Sequence, residues 1–207
     1  MFPLGSVLFP SVVLPLHVFE ERYRALMRDC LAGEREFGVV LIERGSEVGG
    51  GDVRTTVGTV ARIVESEEYP DGRYAVVAVG VRRIVVDEWL PDAPYPRAEV
   101  HDCPDPEVRA DAAGAALGTM LGPFRRAVAL KGELGESSVP ATIELSDEPG
   151  VASFQAAAVG PLGPLDQLRV LGTEGVVERL ELLTTLFGEE GEVLEARLSG
   201  EPPGTHG

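Results

Sequence analysis

MFPLGSVLFPSVVLPLHVFEERYRALMRDCLAGEREFGVVLIE, residues 1–43, decides how the rest of the chain is read. Its first part sets short apolar β segments between Pro3, Pro10 and Pro15. Proline has no N–H to give to a ladder, so these segments are expected to be short or to lie at a sheet edge. From Val18 to Leu31 the period changes. Phe19, Tyr23, Leu26, Met27 and Cys30 recur at helical spacing, which predicts an amphipathic helix with those residues on its buried face. Glu20 and Arg24 stand four residues apart in the favourable order for an ion pair on the opposite face. Gly33 follows the last periodic residue, where a helix can end at positive φ. Phe37–Glu43 (FGVVLIE) is an apolar run of strand length, suited to a strand covered on both faces.

Working outward, Gly45–Asp52 reads as a flexible loop and Thr56–Glu65 as a strand, with Gly58 as its candidate bulge. Tyr69-Pro70-Asp71-Gly72 has proline, aspartate and glycine where a tight turn wants them, and Arg73–Val79 returns as the hairpin partner. Gly80–Leu90 and Tyr95–His101 supply further strands. About six short strands joined by such turns suggest a small barrel or pseudo-barrel. Arg82 and Arg83 should point to opposite faces, one of them pairing with an acid such as Glu20.

Asp105-Pro106-Glu107 marks a change to helical period, with Asp105 as the expected N-cap. Val108, Ala112, Ala116, Leu117, Leu121, Phe124 and Val128 follow at helical spacing, against the weakening effect of Gly114, Gly118 and Gly122. Lys131–Ser146 reads as an exposed connection. Asp147-Glu148-Pro149 repeats the capping pattern before a helix that ends near Gly160. Pro164–Leu171 makes a short helix, and Val176, Leu180, Leu183, Phe187 and Leu194 mark a last one that Gly188 and Gly191 are expected to interrupt. The divisions are therefore a β-rich subdomain over 1–103, a helical bundle over 104–200 and a disordered tail over 201–207.

The opening segment resembles the start of the N-terminal domain of Lon proteases. The matching residues are Phe2, Pro3, Leu4, Val7, Phe9 and Pro10, then Leu14 to Glu20, and Arg22, Tyr23 and Leu26. A VGT-x-A-x-I segment at Val57–Ile63 and the YPRAEV strand at Tyr95–Val100 extend the resemblance, and PLG followed by LRVL and VVERLELL extend it more loosely into the second half. It implies an α+β fold, a PUA-like β pseudo-barrel with one amphipathic helix followed by a C-terminal helical bundle. It also implies a domain that binds protein substrates and does no chemistry itself.

Composition narrows the alternatives. The net charge is −16, with 17 acidic and 11 basic side chains in residues 1–103 and 17 and 7 after them. Neither half has the basic field that binding to phosphates requires, so no nucleic-acid partner is expected, although PUA domains often bind RNA. The sequence has no apolar run long enough to cross a membrane and no signal-peptide pattern at its start, so the expected location is cytoplasmic. It opens almost on the first motif residue, which leaves room for an earlier start. The two cysteines, Cys30 and Cys103, are expected to be reduced.

Candidate chemistry is sparse. Lys131 is the only lysine, and it lies outside any setting that suits the Ser–Lys dyad of Lon proteases. The sequence contains no phosphate-binding G-x-x-x-x-G-K-[ST] and no G-x-S-x-G elbow. His17, His101 and His206 have no zinc-ligand spacing among them. Glu67-Glu68 and Glu189-Glu190 read as solvated surface. No catalytic residue, cofactor or metal is expected.

Trp89, Leu90 and Tyr95 flank the proline-rich LPDAPYP turn and are the candidate peptide-binding residues. The sequence thus predicts non-catalytic binding of unfolded or exposed apolar polypeptide, as a Lon-type recognition module or adaptor for a partner protease. The alternatives are a protease-associated subunit with peptidase activity by association, and a small-ligand binder of the kind that the cereblon family pairs with this domain. The chain lacks the cysteine array of that family's ligand module.

Overall fold

The computed structural model describes residues 1–44, 53–136, 139–140 and 142–200 of the 207-residue chain. The expected Gly45–Asp52 loop and the 201–207 tail lie outside the described residues. The chain divides into two compact units, Met1–Pro104 and the part from Asp105 onward.

Among the described residues the first unit is a six-stranded sheet with one helix: β1 (Phe2–Leu4), β2 (Val13–Val18), α1 (Glu21–Ala32), β3 (Glu36–Arg44), β4 (Val53–Glu68), β5 (Tyr74–Leu90) and β6 (Arg97–Asp102). Strands neighbour in the order β1-β3-β4-β5-β2, and β6 also pairs with β5. β1 runs parallel to β3, and every other pair is antiparallel. Val76 pairs with both Leu16 and Ser66, and Ile84 with both Asp102 and Gly58. So β4 follows one edge of β5, while β2 and β6 share the other, one along each half. No pairing joins β1 to β2 or β6 among the described residues, so hydrogen bonding does not close the expected pseudo-barrel.

The prolines behave as their chemistry requires. Pro3 and Pro15 sit in β1 and β2, each paired on one side only. The helix is shorter than its sequence suggests. Glu20 is the N-cap residue, and Tyr23, Leu26, Met27 and Cys30 are buried against Phe2, Val18, Phe37, Ile63 and Val76. Each such side chain contributes about 1.5–3 kcal/mol of burial. Phe19 lies before the helix and is 54% exposed, so it does not belong to the buried face. Glu20 pairs with Arg22 at 3.2 Å, not with Arg24. Gly33 has φ −117°, and the left-handed residue after the helix is Arg35, at φ 62°.

The β4–β5 hairpin turns where the sequence puts its turn residues. Gly72 N–H donates to the Tyr69 carbonyl at 2.8 Å, and Gly72 has φ +80°. Gly58 is not a bulge. It pairs with Val40 and Ile84, and a Cβ there would lie 2.3 Å from the Val39 carbonyl oxygen, so glycine permits a close strand approach. The irregularities of β4 lie beside it, between Gly58 and Arg54 opposite β3, and further along, between Val60 and Ala61 and between Ile63 and Glu65 opposite β5. Arg82 is exposed and Arg83 buried, as alternation requires. The partners of Arg82 are Glu36 at 2.7 Å and Asp102 at 2.9 Å rather than Glu20.

Among the described residues the second unit holds four helices: α2 (Ala110–Glu133), α3 (Pro149–Val159), α4 (Pro164–Gly172) and α5 (Val176–Ser199). Met120, Phe124, Ala127, Phe154, Leu180, Leu183 and Phe187 are buried in its core, with Phe124 and Phe187 edge-on at 5.3 Å. The glycines interrupt neither long helix; α2 runs through Gly114, Gly118 and Gly122, and α5 through Gly188 and Gly191. Tertiary packing outweighs the local cost of about 1 kcal/mol per glycine. Glu148 caps α3, accepting from Gly150 N–H at 3.0 Å and Val151 N–H at 2.6 Å, with Pro149 in the first turn.

Asp105 does not cap α2, whose N-cap is Arg109. Its carboxylate instead takes two bonds, 2.8 and 2.6 Å, from the wholly buried Arg179. That guanidinium also donates to Ser153 Oγ at 2.7 Å and the Thr173 carbonyl at 3.1 Å, and lies 4.0 Å above the Phe154 ring. A buried arginine left without its carboxylate costs far more than a helix cap gains, which accounts for the displaced start.

Candidate functional site

The sequence-derived residues fall at the β5–β6 turn. Trp89 and Leu90 end β5, opposite Ala98 and Arg97, and both are half-buried. The Arg54 guanidinium lies 5.0 Å from the Trp89 ring centre and hydrogen-bonds to Asp92 at 3.4 Å, so one indole face is already covered. Tyr95 packs against the β-unit core, and its hydroxyl donates to Asp29 Oδ2 of α1 at 2.6 Å. That bond, aided by partial burial, pushes the phenol pKa up to about 12. Tyr95 therefore ties the turn to α1. The three residues are neighbours in the fold, but two of them are engaged within it.

A larger feature lies on the outer face of the sheet. The burial of β2 alternates strictly: Leu14, Leu16 and Val18 turn inward, and Val13, Pro15 and His17 turn outward. Register then builds rows across three strands, Pro15–Val77–Glu65 and His17–Ala75–Glu67. Directly paired residues share a face, so these rows stand side by side on the outside. The irregularity between Ile63 and Glu65 leaves Val64 without a cross-strand partner and 52% exposed. Val13 is 59% exposed.

Pro15, His17, Val64, Ala75 and Val77 floor an open cleft of about 840 Å³, rimmed by Arg35, Glu65 and Glu67, and Val13 lies beside it on β2. A second cavity of about 190 Å³ lies between β1, β2 and the start of α1, lined by Phe2, Leu4, Leu16, Val18, Phe19 and Tyr23 among others. Pro15, Leu16 and His17 line both. The arrangement offers apolar contact over several residues of extended chain, and among the described residues no hydrogen bond joins its Ser66 to His17 or to a carboxylate. Among the described residues no group of three or more His, Cys, Asp or Glu stands where it could hold a metal ion. No helix there is long and apolar enough to cross a membrane.

Residues 1–187 match the family model of the ATP-dependent protease La (Lon) substrate-binding domain. The chain belongs to the Lon substrate-binding domain family. The Lon protease of Anaeromyxobacter dehalogenans and Lon protease 2 of Myxococcus xanthus are each 31% identical to it, over 92% of this chain and 23% of theirs. The chain thus spans about a quarter of the length of the curated Lon proteases it matches. Among solved structures, a Lon N-terminal domain protein from Xanthomonas campestris superposes with a TM-score of 0.63 at 28% identity, covering 89% of this chain and 95% of that one. The N-terminal domain of Mycobacterium avium complex Lon protease gives 0.64 at 18% identity, over 90% and 97%. The latter likeness is of fold alone. The matched region is the Lon substrate-binding domain and not a catalytic one, which agrees with the resemblance read from residues 1–43.

The outer-face cleft was not found from sequence, although a signal for it exists. Ala75 to Val79 are apolar at every position, in a strand whose neighbours are antiparallel and whose sheet would alternate if its outer face were merely solvated. Val13 and Pro15 carry the same excess into β2. Which residues join them depends on register and on the position of the bulge, and the alternation of one strand does not reveal either.

Proposed function

We propose that this Lon-family domain binds extended, apolar segments of unfolded polypeptide on the outer face of β2, β5 and β4, and presents them to a Lon-type protease as a recognition module or adaptor. The observation that carries this reading is the apolar surface of Pro15, Val64 and half-buried Val77 in one cleft, continued by exposed Val13 beside it on β2. Such a surface suits varied clients, because apolar contact is non-directional and the pairing groups at a strand edge take any sequence. The β unit is read here as PUA-like and the helical unit as a bundle that completes the family's domain. Trp89, Leu90 and Tyr95 are proposed as a lesser contact at the other end of β5.

Anisotropy titration of the protein into a labelled, unstructured apolar peptide tests the reading. Val13→Asp and Val64→Asp, both on exposed positions, should each weaken binding by roughly tenfold while leaving the thermal transition nearly in place. Binding at wild-type strength in both variants would remove the cleft from consideration. The purified protein is also expected neither to hydrolyse ATP nor to cleave casein. Genuine turnover in either assay would favour an enzyme instead.

A further inference from the structure

The rim of the cleft carries information about its client that the apolar floor does not. Glu65 and Glu67 lie two residues apart on β4 and on the same face, so their carboxylates repeat along the strand at about 7 Å. Neither makes an ion pair among the described residues, although arginines elsewhere on this sheet are matched with acids. The cation on the rim, Arg35, has its Nε bonded to the Ile63 carbonyl at 3.3 Å. The Ile63 N–H still reaches the Arg35 carbonyl at 2.8 Å, but beyond it no strand among the described residues pairs with β4 on its β3 side, so Val64–Glu68 runs beside an open edge. An extended client has the same two-residue period as this edge. One that presents apolar side chains to Val64 and Val77 can set every second residue against Glu65 and Glu67.

We propose that the cleft selects unfolded segments in which two basic residues, spaced i and i+2, accompany apolar ones. The occupant is a lysine- or arginine-bearing extended polypeptide, and charge complementarity with this rim distinguishes it from an apolar segment in general. The inference rests on the binding reading above and adds the client's chemical class to it. The competing role for the two acids is protection of the β4 edge, since charge on an open edge discourages strand pairing between copies.

The test uses the full chain and three labelled, unstructured peptides that share their leucines and valines and carry Lys-x-Lys, Gln-x-Gln or Glu-x-Glu at the same place. Wild type should bind the lysine peptide about fivefold more tightly than the glutamine one at low salt, with the glutamate peptide weakest. The preference should shrink as ionic strength rises. Glu65→Gln with Glu67→Gln should bring the lysine-to-glutamine ratio close to one, and Glu65→Lys with Glu67→Lys should reverse the order. A ratio that survives in the glutamine variant overturns the assignment, the more so if that variant self-associates in sedimentation, which marks the acids as edge guards. Equal binding of all three peptides by wild type overturns this inference and leaves the proposed function standing. No binding of any peptide overturns both.

Discussion

Two arginine arrangements in this chain, one in each unit, differ in kind. In the helical unit Arg179 is wholly buried, with Asp105, Ser153 and Thr173 taking its hydrogens and Phe154 under its plane. In the β unit Arg83 is buried, but Arg62 and Arg82 lie outside. Glu36 bridges Arg62 and Arg82, and Arg82 reaches on to Asp102, so one ladder of charge crosses β3, β4, β5 and β6 on the surface. Beside that ladder the same sheet leaves Val13, Pro15 and Val64 bare. A buried arginine specifies how one set of helices packs, whereas surface charge beside apolar area shapes what can settle on it. Fold specification belongs to the first arrangement, and the proposed recognition to the apolar area beside the second.

The largest expected effect breaks the helical side of this contrast. Arg179→Ala removes the hydrogen bonds that Asp105 and Ser153 take from this guanidinium and should destabilise the helical unit by about 3–5 kcal/mol. The single tryptophan, Trp89, belongs to the β unit, so its fluorescence reports that unit, while ellipticity at 222 nm is dominated by the helices. Urea unfolding should show the helical signal moving to lower denaturant ahead of the Trp89 signal. If both move together by the same amount, the arginine holds more than its own unit. Asp105→Asn should lose less, because a neutral acceptor remains.

Next in size are the changes on the apolar face. Val13→Asp acts on binding and hardly on folding, the inverse of Arg179→Ala. Trp89→Ser should weaken peptide binding by only about two- to threefold, since Arg54 covers one face of the ring. A Trp89→Ser effect larger than that of Val13→Asp would move the main contact to the β5–β6 turn. Tyr95→Phe should cost about 1 kcal/mol through the lost bond to Asp29. It should also change the alkaline limb. Because the folded phenol titrates above its ordinary value of 10.0, near 12, its contribution is complete below pH 10 and is lost as pH rises through about 12. The variant should lack that part of the alkaline loss when unfolding is followed by Trp89 fluorescence.

How far the sequence reaches differs between these regions for physical reasons. Tyr23, Leu26, Met27 and Cys30 follow a period of 3.6 because one helix face is buried, and that rule is local. The hairpin turn is local too, since Asp71 and Gly72 carry its geometry in their own backbone preferences. Phe19 fits the same spacing and yet is exposed, because the helix begins only after Glu20 and spacing does not mark where a helix starts. Asp105 was read as a cap from its neighbours, and its real partner lies 74 residues away. The cleft is hidden for the same reason. Glu65 meets Val77 and Pro15 only after a bulge has shifted the register, so its setting belongs to the sheet and not to its own segment.

The smallest expected effect tests the charged side of the β unit. Glu36 is the hub of the surface ladder. Burial alone would raise its pKa, but hydrogen bonds from Arg82 and Arg62 outweigh that and hold the carboxyl below its usual 4.5. Its pairing therefore stabilises the folded state at pH above about 4.5, and the contribution is lost as pH falls through the lowered folded value. Glu36→Gln removes this component, so its stability should approach that of wild type as the medium becomes more acidic. At neutral pH the loss should be modest, roughly 0.5–1 kcal/mol, because both arginines keep much of their water. Salt should reduce it further. Peptide affinity should not change, since none of Glu36, Arg62, Arg82 and Asp102 lines the cleft. If Glu36→Gln weakens peptide binding as much as Val13→Asp does, the ladder is part of the recognition surface, and the division between a charged half and a binding half of this sheet is wrong.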